Sequence, residues 1–263
     1  MWKYTFASAC GTSHVRGGQP CQDFVLARIV EAASGPVLVA ACADGAGSAE
    51  LSDVGAKIAV DSFLESATGF MMQDGADVAH IDEPTLIGWA KEAHRQIEAE
   101  AEARQIIPRQ FACTLLAAVV GSRAAAFAHI GDGVIVFDVA EGYEFAFWPD
   151  SGEYANMTRF LTDPDYDIHL RTECLPRALG EIALLTDGLQ SLALNYAEGR
   201  VHAKFFRPMF QALCSAPHGD ALHESLVSFL ESKRVNDRTD DDKTLLLAAR
   251  TKLTTDDVQD DTD

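Results

Sequence analysis

Leu38-Val39-Ala40-Ala41-Cys42-Ala43-Asp44-Gly45-Ala46-Gly47 is an apolar run that stops abruptly at an acid set between small residues. Such a run reads as a buried strand, and a buried strand holds the side chain at its end rigidly at a sheet edge. The glycines that follow let the backbone turn and let its carbonyl approach a ligand. A carboxylate delivered in this way is a good ligand for a hard cation such as Mg2+ or Mn2+.

The same design recurs along the chain. Ala183-Leu184-Leu185-Thr186-Asp187-Gly188 is a second apolar run into Asp-Gly, and Ala126-Phe127-Ala128-His129-Ile130-Gly131-Asp132-Gly133 is a third. Asp240-Asp241-Asp242 stands just before Leu245-Leu246-Leu247-Ala248-Ala249, and Asp23 opens Phe24-Val25-Leu26-Ala27. One Asp-Gly is far more often a plain turn than a ligand. Five strand-edge acidic positions spread over the whole chain make sense together only if a sheet gathers them.

The formal charge of −19 argues against a nucleic-acid partner, since phosphate backbones are bound by Lys and Arg, and against an anionic membrane surface. Cys10, Cys21, Cys42, Cys113, Cys174 and Cys214 form no Cys-x-x-Cys pair and no zinc spacing. They read as reduced thiols, which places the expected compartment in the cytoplasm. The N-terminus carries no signal-peptide pattern, and no apolar run reaches the roughly 20 residues that span a bilayer.

In chain order, strands are expected at 4–10, 23–30 and 36–43. A Gly-rich loop, residues 11–20, joins the first two and holds His14 and Arg16 close to Asp23. Arg suits bidentate phosphate contact, and His can bind an anion or act as an acid. A helix capped by Ser52 runs to about Thr68 on the stripe Ala56, Ala59, Val60, Phe63 and Ala67. After a loop, a second helix opens near Asp82 and Pro84 on the stripe Leu86, Trp89, Ala90, Ala93 and Ile97. Four strands at about 112–120, 123–129, 134–139 and 143–148 read as antiparallel hairpins. Residues 149–168 read as irregular, with strands near 169–172 and 181–186 beyond them. Helices near 202–214 (Phe205, Met209, Phe210, Leu213) and 220–231 (Leu222, Leu226, Phe229, Leu230) precede a last strand at 244–250. Two stacked antiparallel sheets with a helical pair on each outer face would bury every stripe, an α+β fold of four layers, α-β-β-α. One domain is expected over residues 1–252, and residues 253–263, acidic and poor in apolar mass, read as a disordered tail.

This order of motifs resembles the metal-dependent protein phosphatases, the type 2C Ser/Thr family, most of all its compact bacterial branch. The resemblance is carried by Gln22-Asp23 at the end of the N-terminal loop, Asp44-Gly45-Ala46-Gly47, Thr186-Asp187-Gly188 and Asp241-Asp242-Lys243-Thr244, with Gly131-Asp132-Gly133 in the place of the family's Gly-Asp element. It implies the same four-layer sandwich, with two Mn2+ or Mg2+ ions at one edge. Asp44 would bridge both ions and the Gly45 carbonyl would bind the second. Asp187 and Asp241 would hold the first, Asp23 would support the second, and Asp132 would belong to a third, weaker position known in bacterial members. The implied reaction is hydrolysis of phosphoserine and phosphothreonine by a water or hydroxide shared between the cations, whose charge lowers its pKa and neutralises the phosphate. Asp44, Asp187 and His14 are the expected catalytic residues.

The chain departs from the family pattern at three places. Ala46 stands where eukaryotic members carry a histidine proposed as the acid, and Gln22 stands where a glutamate is frequent. The family's phosphate-binding arginine is absent at its usual distance, and His14 or Arg16 would take its part. Gln22 and Ala46 motivate a second reading, a catalytically weak or inactive phosphatase-fold binding module that partners a kinase. A hydrolase of small phosphate esters is a third. The partners expected of the enzyme are a phosphoprotein substrate and a cognate Ser/Thr kinase.

Overall fold

The computed structural model describes residues 1–149 and 158–251. The expected acidic tail and part of the expected irregular stretch, residues 150–157, lie outside them.

β1 (Trp2–Ala9) leads through α1 (Thr12–Gly17) into the hairpin β2 (Phe24–Ala32) and β3 (Gly35–Ala43). The long helices α2 (Ser52–Met71) and α3 (Glu83–Arg104) follow, then β4 (Leu115–Val120), β5 (Ala125–Ile130), β6 (Val134–Val139) and β7 (Gly142–Phe145). After α4 (Tyr166–His169) come β8 (Arg171–Leu175), β9 (Glu181–Leu185), α5 (Gln190–Ala193) and the small ribbon β10 (Leu194–Asn195) with β11 (Arg200–Val201). The helical pair α6 (Ala203–Ser215) and α7 (His223–Leu230), the short α8 (Lys233–Asn236) and β12 (Lys243–Arg250) complete the described chain.

The strands form two five-stranded antiparallel sheets, ordered β1-β12-β9-β6-β7 and β2-β3-β4-β5-β8. Alternation along β3 shows how they stack. Val37, Val39, Ala41 and Ala43 pack with α2 and α3, whereas Leu38, Ala40 and Cys42 pack with Ile135, Ile182, Leu184 and Leu246 of the other sheet. Both faces of β3 are therefore covered, which is why its sequence is apolar without interruption. The outer face of the first sheet, including Val136, Ala183, Leu185 and Leu245, is covered by Phe206, Phe210 and Leu213 of α6 and Leu226 and Leu230 of α7. These are the four expected layers.

Four local expectations are corrected. Residues 11–20 hold a helix, α1, stopped by Gly18 at φ 68° and fixed by the Ser13 N–H to Asp240 O bond of 2.9 Å. Ser52 does not cap α2: its hydroxyl is buried and donates to Ala49 O at 3.4 Å, and the capping position is Leu51. The block of four strands is two hairpins in different sheets, because β5 and β6 do not pair and Gly131-Asp132-Gly133 carries the chain across. The buried face of α6 centres on Phe206, with Phe205 and Met209 to one side. α3, by contrast, opens at Asp82 and Pro84 as expected, and Asp82 caps it, accepting the Thr85 N–H at 2.9 Å. No helix among the described residues is long and apolar enough to cross a membrane.

Candidate metal centre

Asp44 is the residue after β3. Its backbone N–H donates to Thr114 Oγ1 at 2.8 Å and its carbonyl accepts the Thr114 N–H at 2.8 Å, so β3 is locked to the entry of β4 at the point where the acid emerges. Gly45 faces Cys113 in an antiparallel bridge whose bonds are made by Asp44 and Ala46, which leaves the Gly45 carbonyl outside that ladder. A side chain at Gly45 has no space, since its Cβ would sit 2.7 Å from Gln22 O.

Asp187 follows β9 by two residues, and Asp132 sits in the crossing between the sheets. Carboxylate oxygens of Asp44, Asp132 and Asp187 lie within 4.8 Å of one another, and each residue is half-buried. Three anions at this spacing repel strongly in a partly desolvated site. Burial first, and then the charges of Asp23 and Asp187, raise Asp44 well above the usual carboxylate range. Burial, followed by Asp132, Asp241 and Asp23, pushes Asp187 up to about 8. Burial also raises Asp132, against the Thr158 hydroxyl that donates to its Oδ2 at 2.7 Å.

Asp23 is buried behind this group. Its Oδ2 accepts from Thr186 Oγ1 at 2.7 Å, and the same Oγ1 accepts the Thr244 N–H at 3.0 Å, which ties β2 to β9 and β12. Burial pushes Asp23 up to about 7, with the Thr186 and Thr244 hydroxyls pulling the other way. Asp241 is exposed and outside the three-carboxylate group, yet its charge raises Asp44, Asp132, Asp187 and Asp23 alike. Its Oδ1 accepts the Asp242 N–H at 2.8 Å.

His14 and Arg16 diverge. His14 Nδ1 lies 3.0 Å from Asp242 Oδ2, while Nε2 looks toward Gly47, 3.7 Å from where a Cβ would be. Arg16 folds along its own helix, with Nε donating to Thr12 O at 2.9 Å, and stays largely exposed 3.9 Å from Asp240. Gln22 is buried with its Oε1 bordering the same Gly47. The Ala46 methyl is buried against Ala49 and Ala112.

Sequence reasoning missed the threonines. Thr114, Thr158 and Thr186 each hold an aspartate of the centre, and only Thr186, next to Asp187, stood in a quoted motif. It also missed the division of labour in Asp240-Asp241-Asp242. Asp242 is the buried one, accepting the N–H groups of Gly11 and Gln22 at 2.6 Å each.

The family model described as Protein phosphatase 2C matches residues 10–231. Serine/threonine-protein phosphatase 3 of Escherichia coli (strain K12) is 38% identical over 252 residues, 94% of this chain and 98% of that protein. The chain belongs to the protein phosphatase 2C family. Among solved structures, the S. agalactiae serine/threonine phosphatase superposes with a TM-score of 0.64 at 15% identity, covering 96% of this chain and 100% of that one. The catalytic domain of the serine threonine protein phosphatase PstP, crystallised with 2 manganese ions, gives a TM-score of 0.59 at 15% identity over 95% and 99% of the two chains. These likenesses show a shared fold, and the members of the phosphatase 2C family are metal-dependent.

The residues of this phosphatase 2C chain fit divalent cations. Asp23 Oδ1, Asp132 Oδ1 and Gln22 Oε1 are buried acceptors with no hydrogen bond among the described residues. A buried acceptor left in this way costs about 1–3 kcal/mol, more if charged, and a hard cation removes the penalty and the mutual repulsion together.

Proposed function

We propose that the chain is a metal-dependent protein serine/threonine phosphatase that hydrolyses phosphoserine and phosphothreonine. One observation carries the reading: Asp44, Asp132 and Asp187, far apart in sequence, place carboxylate oxygens within 4.8 Å at one rim of the stacked sheets. Mn2+ or Mg2+ held there supplies Lewis-acid neutralisation of phosphate oxygens and lowers the pKa of water.

The chain's own part is to fix positions. Asp44, Asp132 and Asp187 are the ligands, with Asp44 held at its place by the bonds that lock the end of β3 to Thr114. Asp23 stands behind them on the Thr186 hydroxyl, and Asp241 adds charge from the open side. The Gly45 carbonyl, free of the bridge to Cys113, is the remaining oxygen donor. His14 is the residue we assign to the substrate: Asp242 stands beside Nδ1, so Nε2 faces Gly47 and can contact a phosphate oxygen or give a proton to the leaving alkoxide. Arg16, turned along α1, is the weaker candidate for phosphate contact. The phosphoesters consumed by such an enzyme are the products of Ser/Thr kinases, which makes a cognate kinase the expected counterpart.

Turnover of a phosphothreonine peptide with Mn2+, with and without chelator, tests the proposal. Activity is expected to vanish with chelation and in Asp187→Ala, and to exceed that on sugar phosphates. Hydrolysis indifferent to both changes would sink it.

A further inference from the structure

The helical pair α6 and α7 does not close fully on its sheet. A cavity of about 370 Å³ remains between them, within the range of small-molecule pockets of about 300–1,000 Å³. Its floor is Thr5 of β1 and Leu247 of β12, which are direct register partners, and its walls include Phe205, Met209, Leu226 and Phe229.

The cavity is polarised. Phe205 and Phe229 meet with ring centroids 6.0 Å apart, so the start of α6 lies beside the end of α7. Lys204 opens α6 and Arg234 follows α7 in α8, which puts both cations at this end. Ala212 and Leu222 line the opposite end. Neither Lys204 nor Arg234 makes a hydrogen bond or ion pair among the described residues, although the chain has 40 acidic residues to 21 basic ones. No carboxylate lines the cavity. In so acidic a protein, two unpaired cations at one mouth suit an anion.

Thr5 supplies a second, separate sign. It is 3% exposed, and its hydroxyl is buried with no partner among the described residues. It lies under the beginning of α7, since the neighbouring Phe6 carbonyl is 2.9 Å from His223 Nδ1, at the end remote from the cations. A buried hydroxyl normally finds a partner.

We infer that this cavity binds an amphiphile of the medium-chain carboxylate class, with its anionic head at Lys204 and Arg234, its chain against Met209 and Leu226, and an oxygen at the far end within reach of Thr5. The site lies under α6 and α7 and shares no residue with the carboxylate centre, so the inference stands apart from the phosphatase reading.

The test uses the full chain, with calorimetry and methyl NMR, and decanoate and omega-hydroxydecanoate as probes. Decanoate is expected to bind saturably at one site and to shift the methyls of Leu226, Val235 and Leu247. Decyltrimethylammonium, with the opposite charge, is expected not to bind. The double variant Lys204→Gln/Arg234→Gln, both positions being on the surface, should weaken decanoate at least about tenfold. Omega-hydroxydecanoate should bind more tightly than decanoate to the unaltered chain, and equally in Thr5→Val. Ala212→Leu, which fills the apolar end from an exposed helix position, should abolish binding of both. Absence of saturable binding below the onset of micelles, indifference to head-group charge, or affinity unchanged in both the double variant and Ala212→Leu would overturn the inference.

Discussion

Asp242 Oδ2 accepts the backbone N–H of Gln22 at 2.6 Å, while Oδ1 accepts that of Gly11 at the same distance. The acid next to Asp241 thus braces the N-terminal segment that carries His14 and Asp23. Hydrogen bonds to a charged group contribute about 1.5–3 kcal/mol each, and removal strands two buried donors. Asp242→Ala is expected to lose at least about 3 kcal/mol in denaturant unfolding. Asp241→Ala, at an exposed position, is expected to leave stability within about 1 kcal/mol and to lower Mn2+-dependent turnover instead. Equal loss of stability in the two variants would contradict this division.

The carboxylates set an unusual pH dependence for the metal-free protein. Asp187 rises from 3.8 to about 8, and Asp23 from 3.8 to about 7. Well below pH 3.8 both groups are protonated in folded and unfolded chains alike. Between these values the folded state keeps its protons and the unfolded state does not, so stability is lost as pH rises, by up to about 1.4 kcal/mol per proton and pH unit. Metal-free protein should therefore melt at lower temperature at pH 8 than at pH 5. Mn2+ should reverse the trend, because it binds the ionised carboxylates and competes with protons. Thermal melts across pH in chelator and in Mn2+ check both signs.

The layers and the strand-end acids were legible because each rests on a strong local pattern. β3 is apolar on both faces and stops at Asp44, and the α2 and α3 stripes recur at helical spacing down to Ile97. The remainder was hidden for physical reasons. Three consecutive aspartates have no periodicity to show which one turns inward, and that choice is made by the N–H groups of Gly11 and Gln22, more than 200 residues away. Gly131-Asp132-Gly133 is as short as a hairpin loop, so nothing local distinguishes a turn within one sheet from a crossing between two. α1 lies in a Gly-rich segment of weak helical propensity and is fixed by its contact with Asp240. The threonines that hold the carboxylates carry no signature at all, since their role depends on which strands become neighbours.

Gly131 is where the crossing is most constrained. Its φ is 112°, and a Cβ there would clash with the Thr114 side chain at Cγ2. Thr114 is also the residue whose Oγ1 accepts the Asp44 N–H. Gly131→Ala is therefore expected to destabilise by about 1–3 kcal/mol from backbone strain alone, and to weaken Mn2+ binding by displacing Thr114 from Asp44. Calorimetric Mn2+ titration of the folded variant checks the second part, and an unchanged affinity would separate Thr114 from the centre.

Thr186 joins three strands through one hydroxyl, donating to Asp23 Oδ2 and accepting the Thr244 N–H. Valine has nearly the same shape, so Thr186→Val removes the polar link without leaving a cavity. The Thr244 N–H loses its acceptor and the Asp23 carboxylate loses a donor, both in buried surroundings, for about 1–3 kcal/mol of stability each. The hydroxyl also opposes the effect of burial on Asp23, so its removal raises that carboxyl further above about 7. Protons then compete better with the cation, and the midpoint of Mn2+-dependent activity should move to higher pH in Thr186→Val. A pH–activity profile at limiting Mn2+ measures the shift. A profile unchanged from that of the unaltered chain, with stability reduced, would restrict Thr186 to holding β9 against β12.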